Sequence, residues 1–177
     1  MERAKEIFLK YNGNHFFMDH NGEGDEYDSY HISKETEEIW AKECISNFMT
    51  SKLNGKEAFR TYSAVTELLS GNKRDENWEK CLYYPLKSKY LDDVTVLYML
   101  PCGFRMAERA VKKHTFSRKE ADAYLKVLDG FIRQVQVRVE EGTITRSTDY
   151  GVYEFSDPVY VASYLDKLKK KWVGLFQ

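Results

Sequence analysis

Apolar positions recur at helical spacing along most of this chain. Between 117 and 141, Ala121, Tyr124, Leu125, Leu128, Phe131, Ile132, Val135 and Val139 hold one face, with charged residues between them. Intervals of three and four residues are the period of an amphipathic helix. Phe116-Ser117-Arg118-Lys119-Glu120 marks where it starts. Ser117 is placed to cap, Glu120 to close a capping box from the third helical position, and Phe116 to sit just outside. Gly130 costs about 1 kcal/mol relative to Ala, which a stripe of this length absorbs. Gly142 ends the helix.

The same reading predicts helices elsewhere. Residues 2–11 place Ile7, Phe8 and Tyr11 together before Asn12-Gly13-Asn14 breaks the pattern. From Ser33 to about Leu53, Trp40, Cys44, Ile45, Phe48 and Met49 form a stripe, with Ser33 as N-cap and Glu35 and Glu37 suiting the helix dipole. Asn54-x-x-Glu57 carries capping-box spacing ahead of Ala58, Tyr62, Val65 and Leu69, and Gly71 is placed to stop that helix. Asp75 is placed to cap a short helix holding Trp78, Cys81 and Leu82, which Pro85 should end. Asp157-Pro158 opens a last helix with Ala162, Leu165, Leu168, Trp172 and Leu175 on its stripe.

Two segments resist the pattern. Val94 to Leu100 is an almost unbroken apolar run. Its β-branched start suits a strand, its isolation among helices suits a buried helix, and the helix is preferred; Pro101 should then bend or restart the chain. In 15–32, two aromatic arms flank His20-Asn21-Gly22-Glu23-Gly24-Asp25-Glu26. They predict a small β-hairpin with a long loop, or else an irregular loop pinned by Phe16 and Phe17. The expected fold is therefore all-α or mainly α, with six or seven helices in one domain spanning 1–177 and a hairpin near the front.

Composition agrees with a packed domain. Of 177 residues, 42% are apolar and 31% charged, with only 3 Pro and 10 Gly, which excludes a disordered or collagen-like chain. Ile7-Phe8-Leu9 is too short for a signal peptide, and no run approaches a membrane span. Three scattered cysteines make no disulfide framework. A soluble, reduced, cytoplasmic protein is expected.

Charge is segregated although the net charge is −1. Residues 19–43 carry nine acids and two bases, residues 103–119 six bases and one acid, and Lys167-x-Lys169-Lys170-Lys171 adds a second basic patch. The near-zero total argues against a nucleic-acid binder. The patches would complement one another within the fold or across a homodimer, or else touch phosphates or an anionic membrane.

Familiar chemistry is sparse. The nucleotide-binding, zinc-protease and serine-hydrolase motifs are missing, and no cofactor is implied. Asp19-x-Asn21-x-Glu23-Gly24 resembles the first half of a calcium-binding EF-hand loop, but Tyr30 stands where a bidentate Glu is needed. His15, Asp19, His20 and His31, with Asp28, would ligate zinc or iron if the two arms paired. Cys102, beside Gly103 after a proline, is the thiol best placed for activation at a helix N-terminus. Tyr83, Tyr84, Tyr90, Tyr150, Tyr153 and Tyr160 fall at breaks or loops, where tyrosine favours recognition or closes a core edge. The favoured function is a non-catalytic interaction domain, regulatory or inhibitory, presenting Asp19, Glu23, Asp25, Glu26, Tyr27, Asp28 and Tyr30 to a basic protein partner. The alternative is a small metal-dependent enzyme or sensor using the histidines.

Overall fold

The computed structural model describes residues 1–70, 75–150 and 155–176. Gly71 and Tyr153 lie outside them. Among the described residues the fold is all-helical, with nine α-helices and a closing 3-10 turn: α1 Glu2–Lys10, α2 His15–His20, α3 Gly24–Ser29, α4 Lys34–Thr50, α5 Gly55–Leu69, α6 Asn77–Lys87, α7 Asp93–Lys112, α8 Arg118–Glu140, α9 Pro158–Val173, then Gly174–Phe176. No helix is long and apolar enough to cross a membrane, among those residues. The count exceeds six or seven because the expected hairpin over 15–32 is two short helices. Asn14 makes the difference: its side chain accepts from the Phe17 N–H and starts a helix where a strand was expected.

Helix α7 explains the unbroken apolar run. Thirteen of its 20 residues are buried, including Val94, Val96, Leu97, Met99 and Leu100. A helix enclosed on all sides shows no stripe. Helices α5 and α6 pack on it, and α9 pairs with α8. Phe104 of α7, Tyr124 of α8 and Trp172 of α9 meet with ring centroids 4.9 Å (Phe104–Trp172) and 4.3 Å (Tyr124–Trp172) apart. The Trp172 Nε1–H donates to the Ala121 carbonyl at 3.1 Å. On α9, Val161 takes the buried place expected of Ala162, which is exposed.

Neither Pro85 nor Pro101 ends its helix; both lie inside, in α6 and α7. A proline in a helix leaves the carbonyl four residues earlier without its N–H partner. Those carbonyls belong to Cys81 and Leu97. The Tyr62 hydroxyl donates to the Cys81 carbonyl at 3.2 Å, and the Tyr164 hydroxyl to the Leu97 carbonyl at 3.0 Å. A tyrosine from a neighbouring helix thus satisfies the acceptor each proline vacates. Gly103 makes room for the first: a Cβ there would stand 2.7 Å from the Tyr62 oxygen.

The start of α7 is a polar knot. Asp92 accepts from the Thr95 N–H at 2.7 Å and its hydroxyl at 2.8 Å. Buried Asp93 pairs with Arg138 of α8 at 2.9 and 2.6 Å and accepts from the Thr145 N–H at 2.9 Å. Asn54 does not cap α5 as its spacing suggested, because its side-chain oxygen accepts from the Asp92 N–H instead, at 3.0 Å. A tertiary partner 38 residues away displaces the local one.

The buried side chains form two clusters. The larger runs through α4–α9, and the smaller comprises Ala4, Ile7, Phe8, Met18, Tyr27, Trp40 and Cys44. Asn12 and Gly13 turn the chain between α1 and α2 at φ 49° and 69°. A Cβ at Gly13 would strike the Phe8 ring at 2.7 Å, so both conformation and space call for glycine.

Candidate functional site

Helices α1, α2 and α3 assemble around one carboxylate. Glu23 accepts from Arg3 at 2.7 Å, from Lys10 at 2.5 Å and from the Tyr11 hydroxyl. Lys10 first, then Tyr11 and Arg3, hold its carboxyl down at about 2. Arg3 also bonds Glu26 at 3.0 Å, and Lys5 pairs with Glu43 of α4 at 2.7 Å. The acidic segment therefore folds back on the basic residues of α1.

The seven residues expected to face a partner divide accordingly. Tyr27 is 3% exposed and donates to Glu37 at 2.7 Å; burial first, then that carboxylate, pushes its phenol well up. Half-buried Tyr30 donates to Glu26 at 3.1 Å. Glu23, Glu26, Tyr27 and Tyr30 thus hold the segment together. Asp19, Asp25 and Asp28 are exposed and make no ion pair among the described residues. The Asp19 carboxylate fills the space where a Cβ at Gly24 would lie, which seats the start of α3.

The histidines do not converge. His15 packs edge-on against Tyr27 and lies 3.6 Å from Glu37, His20 stacks on Phe16, and His31 sits at φ 48° in the turn after α3. Among the described residues no three His, Cys, Asp or Glu side chains are grouped to hold a metal ion. His15, Asp19, His20 and His31 are therefore not one ligand set. The EF-hand resemblance fails for a related reason: α2 ends at His20, α3 begins at Gly24, and Glu23 is taken by α1.

Cys44, Cys81 and Cys102 are all buried. Burial pushes the Cys44 thiol to about 11 and Cys81 higher. Cys102 lies inside α7 rather than at a helix start, since Pro101 does not begin a new helix. In the basic stretch, Arg109 pairs with Glu67, Lys112 with Glu108 and Arg118 with Asp122. At the C-terminal patch Lys169 pairs with Asp129 and Lys170 with Asp166. Tyr150 stacks on Tyr98 and Tyr160 meets Phe155 edge-on, at the margin of the core.

Phe16 and Phe17 were expected to pin a loop, yet they are 70% and 44% exposed. The reason is angular. Successive helical residues lie about 100° apart, so one buried face cannot take three in a row. Met18 occupies it and is fully buried. Reading 15–20 as a helix would have turned both rings outward. They meet edge to face at 5.5 Å. Phe17 and His20 border a cleft of about 960 Å³ against α5, whose far wall carries Lys56 and Arg60.

Comparison of the chain with protein-family models, with curated proteins and with solved structures finds no match.

Proposed function

We propose that this protein is a non-catalytic interaction domain that docks a basic partner on α2 and α3. The observation that carries this reading is the pairing of exposed Phe16 and Phe17 with exposed, unpaired Asp19, Asp25 and Asp28 on adjoining helices. Aromatic side chains, Phe among them, are enriched at the cores of interfaces, whereas flanking charge governs approach and selectivity. Phe16 keeps 70% of its surface in water, area that a partner would bury. The ion pairs of Glu23 and Glu26 support the reading differently: they fix the two short helices before a partner arrives, which lowers the ordering cost of binding.

The test uses immobilised wild type beside two variants, Phe16→Ser/Phe17→Ser and Asp19→Asn/Asp25→Asn/Asp28→Asn, in lysate of the source organism. One basic protein held by wild type, lost by both variants and released at about 0.5 M salt is the expected result. A retained set identical for all three would overturn the proposal.

A further inference from the structure

A second groove, sharing no lining residue with the α2–α3 front, has the opposite charge. Glu79, Lys80, Tyr83, Tyr84 and Lys87 recur along one face of α6 and line the groove, with Glu76 at the N-cap. The end of α4 with Lys52, and Lys89 and Tyr90 after α6, form its sides. Its volume is about 620 Å³, within the range of ligand clefts, roughly 300–1,000 Å³.

Lys52, Lys80, Lys87 and Lys89 make no salt bridge among the described residues, unlike Lys112 and Lys170 elsewhere. Glu76 and Glu79 offset two of these charges. Helices α4 and α6 both end here, each contributing about half a negative charge, so the groove keeps an excess of about one positive charge. Tyr84 also borders the groove, its ring 4.6 Å from Phe48 and its hydroxyl buried. Four ammonium groups without a carboxylate partner among the described residues call for an oxygen-rich anion.

The geometry points to an acidic peptide segment of a partner protein, bound through its Asp or Glu carboxylates, as the occupant. The aromatic faces decide against nucleic acid. Lys87 already lies over the Tyr83 ring at 4.4 Å, and Lys52 and Lys89 over Tyr90 at 5.7 and 5.5 Å. An ammonium over a ring competes with a stacking base for that face. A carboxylate can meet each ammonium where it stands.

A labelled hexaglutamate peptide, titrated against the full chain by fluorescence polarisation, tests this. Saturable binding is expected, weakened at least about tenfold in Lys52→Gln/Lys87→Gln/Lys89→Gln and falling with salt. Lys112→Gln/Lys169→Gln/Lys170→Gln, three lysines paired elsewhere, serves as the charge-matched control and should bind like wild type. Amide shifts on peptide addition should centre on Ser88 and Tyr90. Absence of saturable binding, equal loss in the control, or shifts centred elsewhere would each overturn the assignment. So would tighter binding of an oligothymidylate of equal length, or self-association abolished by the triple variant, which would give the groove to nucleic acid or to a second copy.

Discussion

Helices α1–α3 and the body formed by α5–α9 use different forces. The body closes around α7 with large rings and aliphatic side chains: Phe104, Tyr124 and Trp172 are each 1% exposed or less. The front shares a cluster of seven buried side chains with α4; tyrosine hydrogen bonds to Glu23, Glu26 and Glu37 add to it, as do ion pairs from Arg3, Lys5 and Lys10 to Glu23, Glu26 and Glu43, most of them half-exposed. Salt screens exposed ion pairs but does not weaken apolar burial. The front should therefore open at lower free energy than the body, as binding regions commonly do.

The sharpest way to break this comparison is a matched pair of truncations. Phe104→Ala should lower global stability by about 3–5 kcal/mol. Phe8→Ala should expose the amides of α1–α3 to hydrogen exchange while those of α7 and α8 keep their protection. Equal global losses in denaturant titrations would make the two regions one unit. Asp93→Ala should follow at about 3 kcal/mol, since it strands Arg138 and frees the Thr145 loop; this is below the deep-burial range because Arg138 is partly exposed. Tyr62→Phe should cost about 1–3 kcal/mol by leaving the buried Cys81 carbonyl without a donor. Ser117→Ala should cost about 1 kcal/mol, the usual worth of an N-cap. All but Phe8→Ala affect the body and are readable by urea titration.

Acid separates the regions from the other side. A carboxyl held down at about 2 stabilises the folded form fully above its unfolded value of about 4.3. That contribution is lost as pH falls from there toward 2. Amide protection in α1–α3 should therefore weaken between about pH 4.5 and pH 2 in wild type. Glu23→Gln should already be weak at neutral pH and change less across that window. Identical acid profiles for the two proteins would remove Glu23 from its central place.

Legibility in the sequence follows the same division. Elements whose signals are local were readable: Ser117 with Glu120 forms the capping box, Ser33 caps α4, and Asp157-Pro158 starts α9. Distant partners hid the rest. Pro85 read as a helix end and Pro101 as a bend or restart because Tyr62 and Tyr164, which repair them, lie 23 and 63 residues away in the chain. Asn54 read as a cap because its bond to Asp92 is invisible locally. In the candidate site, the acidic character of 19–28 was plain, but its pairing with Arg3 and Lys10 was not. Misreading 15–20 as a strand arm then concealed Phe16 and Phe17.

The most direct measurement is hydrogen exchange of the intact chain, followed by mass spectrometry, at low salt and at about 1 M salt, where the screening length is about 3 Å. Peptides covering 1–30 should exchange faster at high salt, and those covering 93–112 should not change. Equal acceleration in both, or none in either, would contradict a front whose small apolar cluster depends on added charge pairs, set on a body held by its core.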